Sequence, residues 1–338
     1  KFGLKMPEPK ERDAKDCMEY LKTEFSGYPV ILAQFFSQCK EMGYCNVADR
    51  IKTMRRKRSL KKKFLNKDPN KSIAYRLNIV EVVRESLSSL SSLDTIRRKR
   101  ANRTAGTSSV DCLTLLRSLA YLDPKNIPLE LVLLLRFDAS PNQVEDFKND
   151  KENNEDQLVS EEYEEVRDAL ALLERYSLIQ WSRETKHINM HAVTQEIVRY
   201  LQPQTNIERL VEALVAYGGD YDEAYDHQEE WAAVLQHGTR LMTHKSSEAE
   251  QNFRLAKTLG QACSVACLYD KALVWFRISA KLAATEFASS GPITKKEPEI
   301  ATSYMNIGDV YFYTGKYLDA LSEYKKALDM RLTVYGTE

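Results

Sequence analysis

No GxxxxGK(S/T) phosphate loop occurs anywhere in the 338 residues, and no strand-borne acidic pair is placed to hold magnesium. The five histidines and six cysteines form no Ser-His-Asp or Cys-His arrangement that the sequence itself brings together. Without either kind of machinery, the chain taken alone is not expected to be an enzyme. Cysteine is sparse and no CxxC pair exists, so the thiols read as reduced, in a cytoplasmic setting. An excess of charge is missing too: 49 Lys and Arg balance 49 Asp and Glu, which selects neither nucleic acid nor a membrane surface. The longest apolar run, Leu131 to Leu135, is far too short for a bilayer, and no membrane partner is expected. The opening KFGLKMPEPKERDAKD has no secretory h-region and no initiating Met, which reads as a segment of a longer protein.

What is present is a helical protein. Hydrophobic residues make up 43% and charged residues 29%, enough for cores of two or three soluble domains. The fold class expected is mostly α: a helical subdomain over 1–95, a basic linker over 96–109, a winged helix with a small β-hairpin over 110–203, and an α-solenoid of repeats over 204–338. The stretch from Glu161 to Leu201 organises the rest. Val166, Ala169, Leu170, Leu173 and Tyr176 recur at helical spacing, then Leu178 to Met190 alternates around a polar turn at Arg183 to Lys186. The helical stripe resumes with Val193, Ile197, Val198 and Leu201 and stops before Pro203. Helix, hairpin and helix, after a helical pair over Val110 to Leu135, make the winged-helix pattern.

Upstream, Asp13 to Lys40 reads as two helices around Ser26-Gly27-Tyr28-Pro29, with Pro29 opening the second, and Ser72 to Leu93 as another helix. The basic runs after Arg50 and at Arg97 to Arg103 carry no interleaved aromatics for base stacking, so they read as solvated and argue against a nucleic acid partner. Residues 138–160 read as a polar, acidic loop.

Beyond Pro203 the chain repeats. Tyr304, Ile307, Gly308, Tyr311, Ala320, Tyr324 and Ala327 sit at tetratricopeptide spacing, and Leu259, Gly260, Cys263, Ala272 and Phe276 echo them 48 residues earlier. By helical angle, Thr302, Met305, Asn306, Asp309, Phe312 and Tyr313 fall nearer the concave groove than the packing positions do. Asn306 offers donor and acceptor to an extended peptide; Met305 and Phe312 offer apolar contact. The array is expected to continue past Glu338, since a third full repeat and a polar cap are missing.

Several of these segments resemble one family. LALLERYSLI from Leu170, then Met190-His191 opening a helix with Gln195-Glu196-Ile197-Val198-Arg199, resemble the winged helix that closes an NB-ARC nucleotide switch. The run GYPVILAQFF is similar to a segment of that family's first ARC subdomain, and LLRSLAYLDPKNIPLELV to the opening of its winged helix. These switches are STAND-class signalling ATPases, and the last unit here resembles kinesin light chain tetratricopeptide repeats. The resemblance implies Pro29 against an adenine and His191 near the β-phosphate of ADP, with Ala192 where the family's latch has an aspartate. It implies ADP or ATP only in a longer protein, bound with an upstream nucleotide-binding domain in cis. It also implies a nucleotide-driven homo-oligomer, and an asparagine like Asn306 as a ligand for a protein or peptide in the groove. Two other readings stand beside it: a winged-helix transcription regulator with a repeat sensor domain, and a plain tetratricopeptide scaffold. Glu164, Glu165 and Asp168 on the candidate recognition helix weigh against the former, because they would meet phosphates with like charge.

Overall fold

The computed structural model of the protein describes residues 29–41, 50, 51, 53, 77–101, 111–135, 161–203, 205–221, 226–244, 249–286 and 297–336. The first helix expected from Asp13, the basic run beyond Thr53, residues 102–109 and the acidic stretch 138–160 lie outside them. The described chain is mostly helical, with three short strands. It divides into two compact units interleaved in sequence. One comprises the described residues up to Ala120 and from Glu161 to Pro203; the other comprises Tyr121 to Leu135 and Thr205 onward. Residues 110–203 therefore contribute to both.

The first unit holds α1 (Pro29–Glu41), α2 (Leu77–Ala101), α3 (Cys112–Leu119), α5 (Glu161–Arg175), strands β2 (Gln180–Ser182) and β3 (His187–Asn189), and α6 (Ala192–Leu201). Pro29 opens α1 because its fixed φ suits a first helical turn and its missing N–H loses no bond there. The helix α2 runs on through its basic end to Ala101, where Arg and Lys are good helix formers. Asp111 caps α3, accepting from the Leu113 N–H at 3.1 Å and the Thr114 hydroxyl at 2.8 Å. At the other end of α3, the Gln195 amide donates to the Leu119 carbonyl at 3.1 Å and Arg199 donates to that of Ala120. A cation on a helix C-terminus answers its dipole. Phe35, Val82, Val83, Leu90, Leu116, Leu119, Leu170, Leu173 and Val198 supply the unit's apolar core. Buried polar groups pair across it: Gln38 donates to the Val82 carbonyl and to the Ser86 hydroxyl, and Arg50 pairs with Glu85.

Strands β2 and β3 are antiparallel, with Trp181 opposite Ile188. Period-two alternation puts both of those side chains inside while Gln180 is exposed. Glu174 of α5 fixes the hairpin's root. One carboxylate oxygen accepts from the Trp181 N–H at 3.3 Å, and the other pairs with Arg183 at 3.0 Å. The Arg183 guanidinium in turn lies 4.5 Å from the Trp181 ring centre.

The second unit begins with Tyr121, strand β1 (Ile127–Pro128) and α4 (Leu129–Leu134). It continues through α7 (Ile207–Gly218), α8 (Gln228–Met242), α9 (Ala249–Val265), α10 (Tyr269–Glu286), α11 (Glu297–Tyr313) and α12 (Tyr317–Tyr335). The turn before β1 is pinned to α8. Fully buried His237 accepts from the Asp123 N–H through Nδ1 and meets the Asn126 carbonyl through Nε2, each at 3.2 Å. Both bonds hold together only for the neutral Nε2–H tautomer. Gln236 adds a bond to the Asp123 carboxylate at 2.8 Å.

The pairs α9–α10 and α11–α12 are built alike, residue for residue at a distance of 48. A Cβ on Gly260 would lie 2.4 Å from the Phe276 ring, and one on Gly308 would lie 2.5 Å from the Tyr324 ring. The glycines let each aromatic of the second helix lie on the first, so these rings fill the interior of a pair. Each pair turns through a left-handed residue, Cys267 (φ 55°) or Gly315 (φ 75°). In both, the next N–H reaches back five residues at 2.8 Å, Leu268 to Cys263 and Lys316 to Tyr311. Between the pairs, Leu273 and Phe276 pack with Ile307 and Val310, and the Ser279 and Ser303 hydroxyls meet at 2.9 Å.

Candidate functional site

Two sets of expected residues are placed, one in each unit. In the first unit, Pro29 is exposed at the start of α1 and His191 is exposed at the start of α6. The two helices are tied by a buried bond from the Gln34 amide to the Thr194 hydroxyl at 2.9 Å. Pro29 is five residues from that bond and His191 three, about 8 and 5 Å of helix rise. Ser37 of α1 also meets Ser177 at 2.7 Å. His191 is the N-cap residue of α6: its Nδ1 accepts from the Val193 N–H at 3.2 Å. In the neutral ring that bond places the proton on Nε2, so the exposed side of the imidazole is a donor. A phosphate or carboxylate oxygen is the kind of group it can address. The capping role was not evident in the sequence, where the resemblance placed His191 near the β-phosphate of ADP. The signal for it was a residue with a short acceptor reach immediately before a helical stripe.

In the second unit, α11 carries Met305, Asn306, Asp309, Phe312 and Tyr313 along one stripe. Phe312 and Tyr313 are exposed, at 53% and 61%. Their rings meet edge to face at 5.9 Å; Phe312 also contacts Tyr317 at 5.6 Å, and Tyr313 stacks on Tyr269 at 6.4 Å. These four rings form an aromatic surface at the helix turns, to which the sequence reading had assigned only two members. Met305 is half-buried. Asn306 is buried, 8% exposed, and its amide Nδ2 has no hydrogen-bond partner among the described residues. An orphaned buried donor costs about 1–3 kcal/mol and is rare in folded proteins. Beside it in the stripe, Asp309 is half-buried and accepts from the Tyr324 hydroxyl at 2.7 Å. Burial raises the Asp309 pKa and the tyrosine bond pulls it partly back. Burial, followed by that same bond, pushes the Tyr324 phenol up as well. Tyr324 is the group that orients Asp309. The sequence marked it only as a packing position.

Among the described residues no group of His, Cys, Asp and Glu could hold a metal ion, and no helix is long and apolar enough to cross a membrane. The thiols of Cys39 and Cys263 are pushed up to about 11 by burial, with Arg50 and Lys271 opposing, so burial disfavours the thiolate at both.

Residues 106–205 match the family model of a domain of unknown function (DUF7779). No curated protein matches the chain.

Proposed function

We propose that this chain is the regulatory and protein-interaction segment of a nucleotide-gated signalling protein, working in the cytoplasm. On this reading the helices and hairpin from Cys112 to Leu201 are a winged helix that closes over ADP held by an upstream nucleotide-binding domain. The helices from Ile207 onward are a tetratricopeptide solenoid whose groove takes a protein or peptide. ADP stabilises a closed form; nucleotide exchange, or a partner on the repeats, shifts the population to an open one and to a homo-oligomer.

One observation carries the lid. His191 spends its Nδ1 on the α6 backbone and thereby turns Nε2–H outward, at a helix N-terminus where a phosphate is favoured. Pro29 belongs to a helix bonded to that same turn, which suits a second contact to the nucleotide. The test is ADP release from the protein that carries the nucleotide-binding domain. His191→Ala should speed release ~5- to 100-fold, the worth of one hydrogen bond to a charged acceptor. An unchanged off-rate would reduce His191 to a helix cap.

The scaffold reading keeps a specific observation in its favour. Ala192 stands where the latch aspartate would be, and His191 already has a structural bond. If the off-rate is unchanged, the repeats alone account for the function.

A further inference from the structure

His237 of α8 is a fully buried ionisable group that neither the proposed lid nor the groove uses. Both of its ring nitrogens are spent on the backbone of one turn, residues 121–126. Nδ1 accepts from the Asp123 N–H and Nε2 donates to the Asn126 carbonyl, each at 3.2 Å. Gln236 grips the same turn, donating to the Asp123 carboxylate at 2.8 Å and to the Lys125 carbonyl at 3.0 Å. The turn ends on Asn126 in the left-handed region, at φ 53°, a conformation that persists in a non-glycine residue where its neighbours hold it. Gln236 and His237 supply that hold.

The charged and titratable groups of the elements packed here divide into three sets. On the turn, Lys125 is exposed, and one oxygen of the Asp123 carboxylate already accepts from Gln236 and from the Lys125 N–H at 3.0 Å. Along α8, Arg240 follows one turn after His237, and His244, just past the helix, lies edge to face on Tyr121 at 5.1 Å. Glu130 of α4 and Glu229 and Glu230 of α8 act on Tyr217 of α7, whose phenol is pushed up by burial first and then by those charges. From α9, Leu255 and Leu259 are the side chains that meet α8 at Gly238.

We propose that His237 is a proton-operated latch: when Nδ1 takes a proton from solvent, the turn at residues 121–126 comes away from α8. The closed turn admits only the neutral ring. A proton on Nδ1 sets one N–H against another at 3.2 Å and places a charge where water does not reach. The Asp123 carboxylate gives no escape within the closed turn, because Nδ1 cannot donate to it while lying on the N–H of the same residue. Attraction to that carboxylate therefore turns the ring off the N–H, and the Arg240 cation opposes a second positive charge beside it. In acid the closed turn binds one proton fewer than the open one. Its stability is full above about pH 6.5, the ordinary imidazole value, and falls as pH drops below it.

Amide hydrogen exchange of the 338-residue chain, corrected for the chemical rate, is followed from about pH 7.5 to about pH 5. Protection of residues 121–127 should fall at least ~10-fold, towards the ~30-fold that one proton gives over the interval below pH 6.5. Protection of α11, which has no histidine, should not fall with it. His237→Gln cannot take the proton, so it should protect the turn less at both ends of the range and change by under ~3-fold between them. Asp123→Asn keeps an oxygen for Gln236 and should retain the full acid response, which excludes the carboxylate as the titrating group. Nitrogen-15 spectra of the parent's histidines give a reading that needs no variant to fold. The His237 ring should carry its proton on Nε2 near pH 7.5 and become imidazolium in step with the loss of protection. A ring that charges while the turn stays protected overturns the latch and makes Asp123 its counter-ion. Protection unchanged down to pH 5, or an acid response that survives in His237→Gln, overturns it as well.

Discussion

Asn306 and Asp309 lie a helical turn apart on α11, and each is held at some cost. The Asn306 Nδ2 is buried without a partner among the described residues. If it serves a ligand and not the fold, Asn306→Ala removes an unsatisfied donor and should leave the thermal midpoint unchanged or slightly raised. The same variant should weaken the bound peptide by about 1 kcal/mol or more. A clear drop in the midpoint, or undiminished binding, would take Asn306 out of the groove. Asp309 titrates above the ordinary carboxylate value because burial disfavours its charge. A raised carboxyl contributes stability that is fully present below its unfolded pKa and is lost as pH rises through the folded one. Asp309→Asn keeps an oxygen for the Tyr324 hydroxyl and removes the charge. Its melting midpoint relative to the parent should therefore climb from about pH 3.5 to pH 7. A flat or falling difference would show that the tyrosine bond outweighs burial.

At the scale of elements, the two helix pairs depend on a glycine beneath an aromatic ring. Alanine in mid-helix would gain about 1 kcal/mol of propensity over glycine. At Gly260 that gain is overruled, because the new Cβ would lie within 3 Å of three atoms of the fully buried Phe276 ring. Overpacking of this kind costs about 1–3 kcal/mol, so Gly260→Ala should be destabilising in chemical denaturation. Gly308→Ala faces the half-buried Tyr324, which has solvent on one side and can yield, so its loss should be smaller. Equal losses at the two sites would contradict the difference in confinement. The periodicity of α11 and α12 and the repeat at 48 residues were open to inspection in the sequence, because small and aromatic residues recur at fixed places. The left-handed Cys267 was not. Its equivalent, Gly315, announces a turn, whereas a cysteine in the same conformation is fixed by the helices on either side.

For the whole molecule, the division of labour proposed above requires that this chain alone binds nucleotide weakly. Isothermal titration of the 338-residue chain with ADP and ATP should give no low-micromolar binding, since a lone imidazole and a proline make too few contacts to replace a phosphate cradle. Low-micromolar binding would move the nucleotide site into this chain. The mostly helical class, the hairpin over Gln180 to Asn189 and the paired helices beyond Pro203 follow from local pattern. Periods of 3.6 and 2, Pro29 and Pro203 at helix boundaries, and Gly315 at a turn are properties that short segments carry by themselves. Tertiary structure decided what needs two distant segments. It assigned the stretch from Tyr121 to Leu135 to the same unit as the later helices, through His237 and Gln236, which lie more than a hundred residues away. It made His191 a cap with its donor outward, buried Asn306 without a partner among the described residues, and gave Asp309 the Tyr324 hydroxyl. A sequence pattern fixes which face of a helix a residue occupies; what that face meets depends on elements whose arrival no local spacing records.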